Sequence, residues 1–139
     1  MIPSELKNEY PFESHFLKLQ DGETLHYIDE NSSNKEKTFI LVHGNPTWSF
    51  YYRRLLRSLG DQGRAIAVDH LGCGLSDKPA DYPYRLQNHI DNLCCLIDEL
   101  DLKNVTLMVH DWGGAIGLGA LLARKDRFKK IILFNTAAF

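Results

Sequence analysis

Apolar and polar side chains alternate in two short stretches near the start of the chain. Residues 15–20 (HFLKLQ) and 24–30 (TLHYIDE) switch between the two kinds of side chain, and Asp21-Gly22 stands between them. Alternation with a period of two is typical of a strand with one buried face, and a short Asp-Gly connection is typical of a tight turn. The pattern predicts an antiparallel hairpin.

Continuous apolar runs follow, and they alternate with segments whose apolar residues have helical spacing. The runs are 38–43 (TFILVH), 64–69 (RAIAVD), 104–110 (NVTLMVH) and 130–135 (KIILFN); the helical segments are 50–59, 86–100 and 113–123. Strands buried on both faces, alternating with helices, predict an α/β protein with a mainly parallel sheet and helices on both faces. In such sheets the chemistry lies at the carboxyl ends of the strands.

Composition narrows the class of protein. The 139 residues are 44% hydrophobic and 24% charged with a net charge of −2, which is typical of a globular domain and argues against disorder and against nucleic acid as a partner. No apolar run reaches the roughly 18 residues of a membrane span, and the N-terminus lacks the apolar core of a signal peptide. The three cysteines, an odd number, predict free thiols and a cytoplasmic location.

Asp111 lies where a buried strand passes directly into a helix. Residues 109–114 read Val-His-Asp-Trp-Gly-Gly, which leaves no loop between strand 104–110 and helix 113–123. This is the layout of a nucleophile elbow, usually written Gly-x-Ser-x-Gly, in which a sharp turn holds the nucleophile above the sheet. Asp111 occupies the nucleophile position, and Val109 stands where the first glycine is usual.

An aspartate in this position predicts a particular chemistry. A carboxylate is ionised at neutral pH, so it can displace a leaving group from an sp³ carbon and form an alkyl-enzyme ester without a base. A separate histidine must then activate the water that hydrolyses the ester. The alternative interpretation is that Asp111 only caps the helix that follows it.

Two neutral N–H donors are predicted beside Asp111. The segment 43–46 (His-Gly-Asn-Pro) follows a buried strand and brings the side-chain amide of Asn45, while Trp112 brings an indole N–H. Such donors suit a leaving anion, for example a halide. The alternatives are an ordinary turn at 45–46 and an ordinary core position for Trp112.

Three stretches in combination resemble the haloalkane dehalogenase-like branch of the α/β-hydrolase superfamily. They are HGNPTWSFYYR (43–53), DHLGCGLSDKP (69–79) and HDWGG (110–114), and the resemblance runs from about residue 15 to the end of the chain. Within that branch, GCGLSDKP and the final FNTAAF are most similar to the β-lactone decarboxylases of bacterial olefin synthesis. Epoxide hydrolases, which usually carry an aromatic residue in place of Asn45, are the third related class.

The resemblance implies a function and a set of site residues. Asp111 matches the nucleophile, and Asn45 and Trp112 match the pair that stabilises the halide. It implies a small hydrophobic substrate, either a haloalkane or a β-lactone, and no cofactor. The three cysteines form no CxxC pair, so we expect no structural zinc site.

The same resemblance implies that parts of the catalytic machinery lie outside this sequence. The family needs a histidine and an acid, and one of the positions that it uses for the acid is Asn135 here. None of the six histidines is a good substitute; His43 and His110 flank the site, and their motif positions suggest scaffold roles. We therefore expect residues 1–139 to form a partial α/β-hydrolase core, without the cap and the C-terminal strands, that does not turn over. The alternatives are an epoxide hydrolase-like enzyme and a non-catalytic remnant that acts as an interaction domain.

The apolar strand KIILF (130–134) carries one further expectation. If no other strand pairs with it, it forms an exposed apolar edge, and such edges favour association. The sequence predicts self-association through this strand.

Overall fold

A six-stranded sheet with three α-helices organises the chain. A computed structural model describes residue 2, residues 4–34 and residues 36–137. The strands are β1 (Ser14–Lys18), β2 (Thr24–Glu30), β3 (Thr38–Val42), β4 (Arg64–Val68), β5 (Val105–His110) and β6 (Phe128–Phe134), and the helices are α1 (Arg53–Gly60), α2 (Leu86–Glu99) and α3 (Trp112–Ala123). Within these described ranges, no helix is long and apolar enough to cross a membrane.

The strand order confirms the predicted α/β architecture. The strands lie in the order β1-β2-β4-β3-β5-β6. From β4 to β6, each strand of this order pairs in parallel with the next. The pairs β1–β2 and β2–β4 are antiparallel, so the predicted hairpin forms one end of the sheet. The carboxyl ends of the parallel strands meet at one edge, where the three motifs of the sequence come together.

The sheet has a hydrophobic core on each face. Ile40 and Leu107 pack toward the side that carries α2 and α3, whereas the next residues along the same strands, Leu41 and Met108, pack with Leu56 of α1 on the other side. These strand residues are at most 4% exposed. A strand buried on both faces has no polar alternation, which is why the central strands read as continuous apolar runs.

The boundaries of several elements differ from the prediction. β1 ends at Lys18 rather than at residue 20, because the backbone N–H of Leu19 already donates to the carbonyl of Glu23 and closes the hairpin turn. The predicted helix 50–59 begins as a 3₁₀ turn over Ser49–Tyr52, and the α-helix starts only at Arg53.

β6 is the outer strand at the other end of the sheet, and it lies less deeply buried than its neighbours. It begins at Phe128, two residues before the predicted start, through an irregular register against Val105. Ile131, Ile132 and Leu133 are 44%, 40% and 50% exposed, although they follow one another in an apolar strand. In the part of the chain that the structure describes, β6 pairs with β5 alone.

Candidate active site

The backbone of Asp111 adopts a conformation that few side chains tolerate. It joins β5 directly to α3 with φ 52° and ψ −130°. A non-glycine residue in such a region costs about 1–3 kcal/mol and persists only where its surroundings enforce it. Two donors enforce it here, because the Asp111 carbonyl accepts hydrogen bonds from the Gly114 N–H (2.9 Å) and from Thr136 Oγ1 (2.6 Å).

Glycines provide the space for this turn. A methyl group on Gly113 would overlap the carbonyl oxygen of Val42, so only glycine lets α3 begin this close to β3. A methyl group on Gly44 would overlap the carboxylate of Asp111 itself. The Asp111 side chain therefore lies directly over the backbone of the loop that follows β3.

Backbone donors hold the Asp111 carboxylate. The N–H of Asn45 donates to Oδ2 at 2.9 Å. Hydrogen bonds from the backbone N–H groups of Trp112 and Asn45 lower the pKa of Asp111 below its ordinary value. The group is therefore an oriented, ionised carboxylate at neutral pH, as a nucleophile must be.

The alternative interpretation of Asp111 as a helix cap does not fit this geometry. A capping aspartate has an extended backbone, and its side chain accepts a bond from the second or third helical N–H. Asp111 has a left-handed backbone and makes no such side-chain bond to α3.

Asn45 and Trp112 line the same open cavity beside Asp111. The cavity has a volume of about 470 Å³. Trp112 is 57% exposed, so the alternative that it is a core residue is wrong. The turn at 45–46 is closed by a hydrogen bond from the N–H of Thr47 to the carbonyl of Gly44, and its Asn45–Pro46 peptide bond is cis. The other residues around the cavity are Gly44, His70, Leu71, Gly72, Cys73, Lys78, Tyr84, Leu86, His89 and Ile116.

Two buried histidines fix the loops that follow β3 and β4. The His43 ring bonds to the carbonyl of Gly44 through Nδ1 (2.8 Å) and accepts the N–H of His70 at Nε2 (3.1 Å). His70 Nε2 in turn bonds to the carbonyl of His43 (3.0 Å). Burial lowers the pKa of both imidazoles, so each is a neutral cross-link. This geometry supports the scaffold role expected for His43.

Several residues of this site were not among the sequence predictions. Gly44 lies within the 43–53 motif, so its role was accessible in principle. No sequence motif marks Thr136, because its hydrogen bond to the Asp111 carbonyl forms only once β6 has paired with β5. Asn135, where the family resemblance allows an acid, lines a second depression together with Asp111 and Thr136.

The comparisons with known proteins assign the chain to a family. Residues 37–139 match the family described as alpha/beta hydrolase fold, and the chain belongs to it. The sequence is 50% identical over 132 residues to a cis-3-alkyl-4-alkyloxetan-2-one decarboxylase of Shewanella oneidensis. The aligned region covers 93% of this chain and 40% of that protein. It is 39% identical over 127 residues to haloalkane dehalogenase 2 of Mycobacterium tuberculosis. This aligned region covers 91% of this chain and 43% of that protein.

Solved structures give the same result. The haloalkane dehalogenase DpaA of Paraglaciecola agarilytica superposes with a TM-score of 0.88 at 38% identity, over 97% of this chain and 48% of that one. The predicted resemblance to the dehalogenase-like branch is confirmed. This chain spans less than half the length of these three relatives.

The strain at Asp111 predicts an unusual ranking of two substitutions. Asp111→Gly removes the cost of the left-handed backbone, whereas Asp111→Ala keeps it, and both remove the same carboxylate. We expect the glycine variant to be more stable than the alanine variant by about 1 kcal/mol in urea unfolding, although glycine normally destabilises a fold. An alanine variant as stable as the glycine variant would show that the turn is not strained.

The two buried histidines predict a pH dependence of stability. Their pKa values are lowered in the folded protein, so below pH 6.5 the unfolded chain binds more protons than the folded one. The free energy of unfolding should therefore fall as the pH is lowered from 7 to 5, by up to about 1.4 kcal/mol per pH unit for each histidine. Urea unfolding at several pH values measures this slope. His70→Gln should make the dependence of the unfolding free energy on pH shallower. An unchanged slope would contradict a neutral, buried His70.

Proposed function

We propose that Asp111 is the nucleophile of a dehalogenase-like reaction on a small hydrophobic substrate, either a haloalkane or a β-lactone. The observation that carries the proposal is the ionised Asp111 carboxylate, held on a strained turn by the N–H groups of Asn45 and Trp112. The names of the similar proteins support it, since they include both a β-lactone (oxetan-2-one) decarboxylase and haloalkane dehalogenases.

The proposed step is a displacement at an sp³ carbon. An Asp111 oxygen forms a bond to the carbon while the bond to the leaving group breaks, and the leaving group departs with the electron pair. With a haloalkane the leaving group is halide; with a β-lactone it is the ring carboxylate, which stays attached to the product. No proton moves in this step, so no general base is needed.

Asn45 and Trp112 are proposed to stabilise the leaving anion. Both line the cavity next to Asp111, and both carry a neutral side-chain N–H donor. Donors aimed at developing charge lower the barrier because they are already oriented before the reaction. The exposed position of Trp112 keeps its indole available for this contact.

Ester hydrolysis needs a base, and among the described residues no histidine is hydrogen-bonded to the Asp111 carboxylate. His43 uses both ring nitrogens and His70 uses Nε2 in bonds to the backbone, and His26 is bound to Asp69 and Ser14. His89 lines the cavity but makes no hydrogen bond to Asp111. His110 stacks on Tyr51. We therefore propose that the 139-residue chain forms the ester and does not release it.

This proposal predicts a stable covalent adduct. With its free thiols blocked beforehand, the chain should gain the mass of one butyl group in intact-mass spectrometry on incubation with 1-iodobutane, and the adduct should persist for hours. Asp111→Asn should abolish the adduct, whereas Asp81→Asn, which changes an exposed loop aspartate, should leave it unchanged. Asn45→Ala and Trp112→Phe should slow its formation about 100-fold each, the usual effect of removing one oriented donor.

Two results would contradict different parts of the proposal. An adduct that survives in Asp111→Asn would exclude Asp111 as the nucleophile. Steady release of butanol by the wild-type chain would exclude the claim that the ester is not hydrolysed.

We also propose that two copies of the chain associate through β6. This outer strand presents adjacent exposed apolar residues, Ile131, Ile132 and Leu133, and exposed apolar edges favour pairing. Size-exclusion chromatography with light scattering should show a dimer or larger species at high concentration. Ile132→Lys should shift the chain toward monomer, whereas Leu122→Lys, at an exposed position of α3, should not. A monomeric wild-type chain at high concentration would contradict the proposal.

A further inference from the structure

A second linked set of side chains lies on the hairpin side of the sheet. The Oγ of Ser14 on β1 is 3.0 Å from Nε2 of His26 on β2. The Nδ1 of the same imidazole is 2.8 Å from Oδ2 of Asp69, which follows β4. A hydroxyl, an imidazole and a carboxylate in this order have the connectivity of an activated nucleophile.

The surroundings of Asp69 decide where the protons lie. This carboxylate also accepts the backbone N–H groups of Ser49 (2.7 Å) and Leu75 (2.8 Å). Burial alone would raise the pKa of Asp69, but the bonds from His26, Leu75 and Ser49 outweigh it and lower the pKa. An ionised Asp69 only accepts, so Nδ1 of His26 is the donor. In the neutral imidazole with this tautomer, Nε2 accepts the proton of Ser14.

The imidazole and the carboxylate are rigid, while the hydroxyl is reachable. His26 and Asp69 are both fully buried, so neither can turn to another partner in solvent. Ser14 is half-buried and lines an open depression of about 680 Å³. The other residues lining it are mostly apolar: Ile2, Lys7, Tyr10, Pro11, Phe12, Phe16 and Leu75.

The strand that carries Ser14, β1, has one edge that is not paired with another described strand. β1 is the outer strand at its end of the described sheet, and it pairs with β2 on one side only. The backbone N–H groups on the free side of such a strand have no ladder partner. Unpaired backbone N–H groups are the kind of donor that stabilises an oxyanion.

We propose that Ser14, His26 and Asp69 form a second nucleophilic site, separate from Asp111, that takes small esters with an apolar acyl group. The Ser14 proton moves to Nε2 of His26 as Oγ bonds to the carbonyl carbon. The leaving alkoxide takes that proton, which gives an acyl-Ser14 and an alcohol. Water, deprotonated by His26, then releases the carboxylic acid and restores the hydroxyl.

A fluorophosphonate probe tests the nucleophilicity of Ser14 directly. Attack by Oγ on phosphorus expels fluoride and leaves a stable phosphonyl-serine, which peptide mass spectrometry can locate. We expect the folded chain to carry the label on Ser14, with at least about 100-fold less on Ser33, because general-base assistance typically contributes that factor. Ser33 is a matched control, since its hydroxyl bonds only to Asn31.

Variants separate an activated hydroxyl from a merely structural hydrogen bond. Ser14→Ala should abolish the labelling, Ser33→Ala should leave it unchanged, and His26→Gln should slow it at least 100-fold. Because His26 is buried and its variant can unfold, the wild-type chain in concentrated urea is the second test: the preference for Ser14 over Ser33 should disappear there. Equal labelling of Ser14 and Ser33 in the folded chain, or labelling that persists in Ser14→Ala, would overturn the proposal.

Discussion

The close approach of three backbone segments around Asp111 is the constraint on which the rest of the site depends. α3 can begin directly after β5 only because Gly113 leaves room for the Val42 carbonyl, and the Asp111 carboxylate can lie over the next loop only because Gly44 has no side chain. The same packing forces Asp111 into a left-handed backbone and presents its carboxylate to the N–H of Asn45. Strain, orientation and ionisation of this side chain therefore share one steric origin. Packing on both faces of the sheet supplies the stability that keeps the strained turn in place.

The buried carboxylate of Asp69 organises the neighbouring loops in a comparable way. It follows β4 and binds the N–H of Ser49 after β3, the N–H of Leu75 in the Gly-rich loop and the ring of His26 on β2. One carboxylate thus connects three separate segments that surround the edge of the sheet. A buried charge is stable only when it is fully hydrogen-bonded, so these loops cannot move independently without a large cost. The two aspartates follow strands that flank β3 on either side, and their surroundings differ: Asp69 is fully buried and holds loops together, whereas Asp111 lines an open depression with Trp112 and Asn135.

Sequence reasoning predicted the type of each strand and α-helix that the structure describes, because the apolar runs and the helical spacings follow the periodicity of backbone geometry. It missed local boundaries, such as the 3₁₀ turn at Ser49, since these depend on a hydrogen bond to a residue 20 positions away. For the site, the motif around Asp111 was readable because strand, turn and helix are continuous in sequence. Thr136 and Ser14 were not readable, since their partners, the Asp111 carbonyl and the His26 ring, meet them only through strand pairing.

The central proposal is that the Asp111 carboxylate attacks the substrate carbon while the neutral N–H donors of Asn45 and Trp112 bind the leaving anion. The most direct measurement is a crystal structure of the chain after reaction with a bromoalkane. The account predicts continuous electron density from an Asp111 oxygen to the alkyl carbon, with bromide, identified by its anomalous signal, between the side chains of Asn45 and Trp112. An unmodified Asp111 with the alkyl group on another side chain, or bromide bound away from both donors, would contradict it.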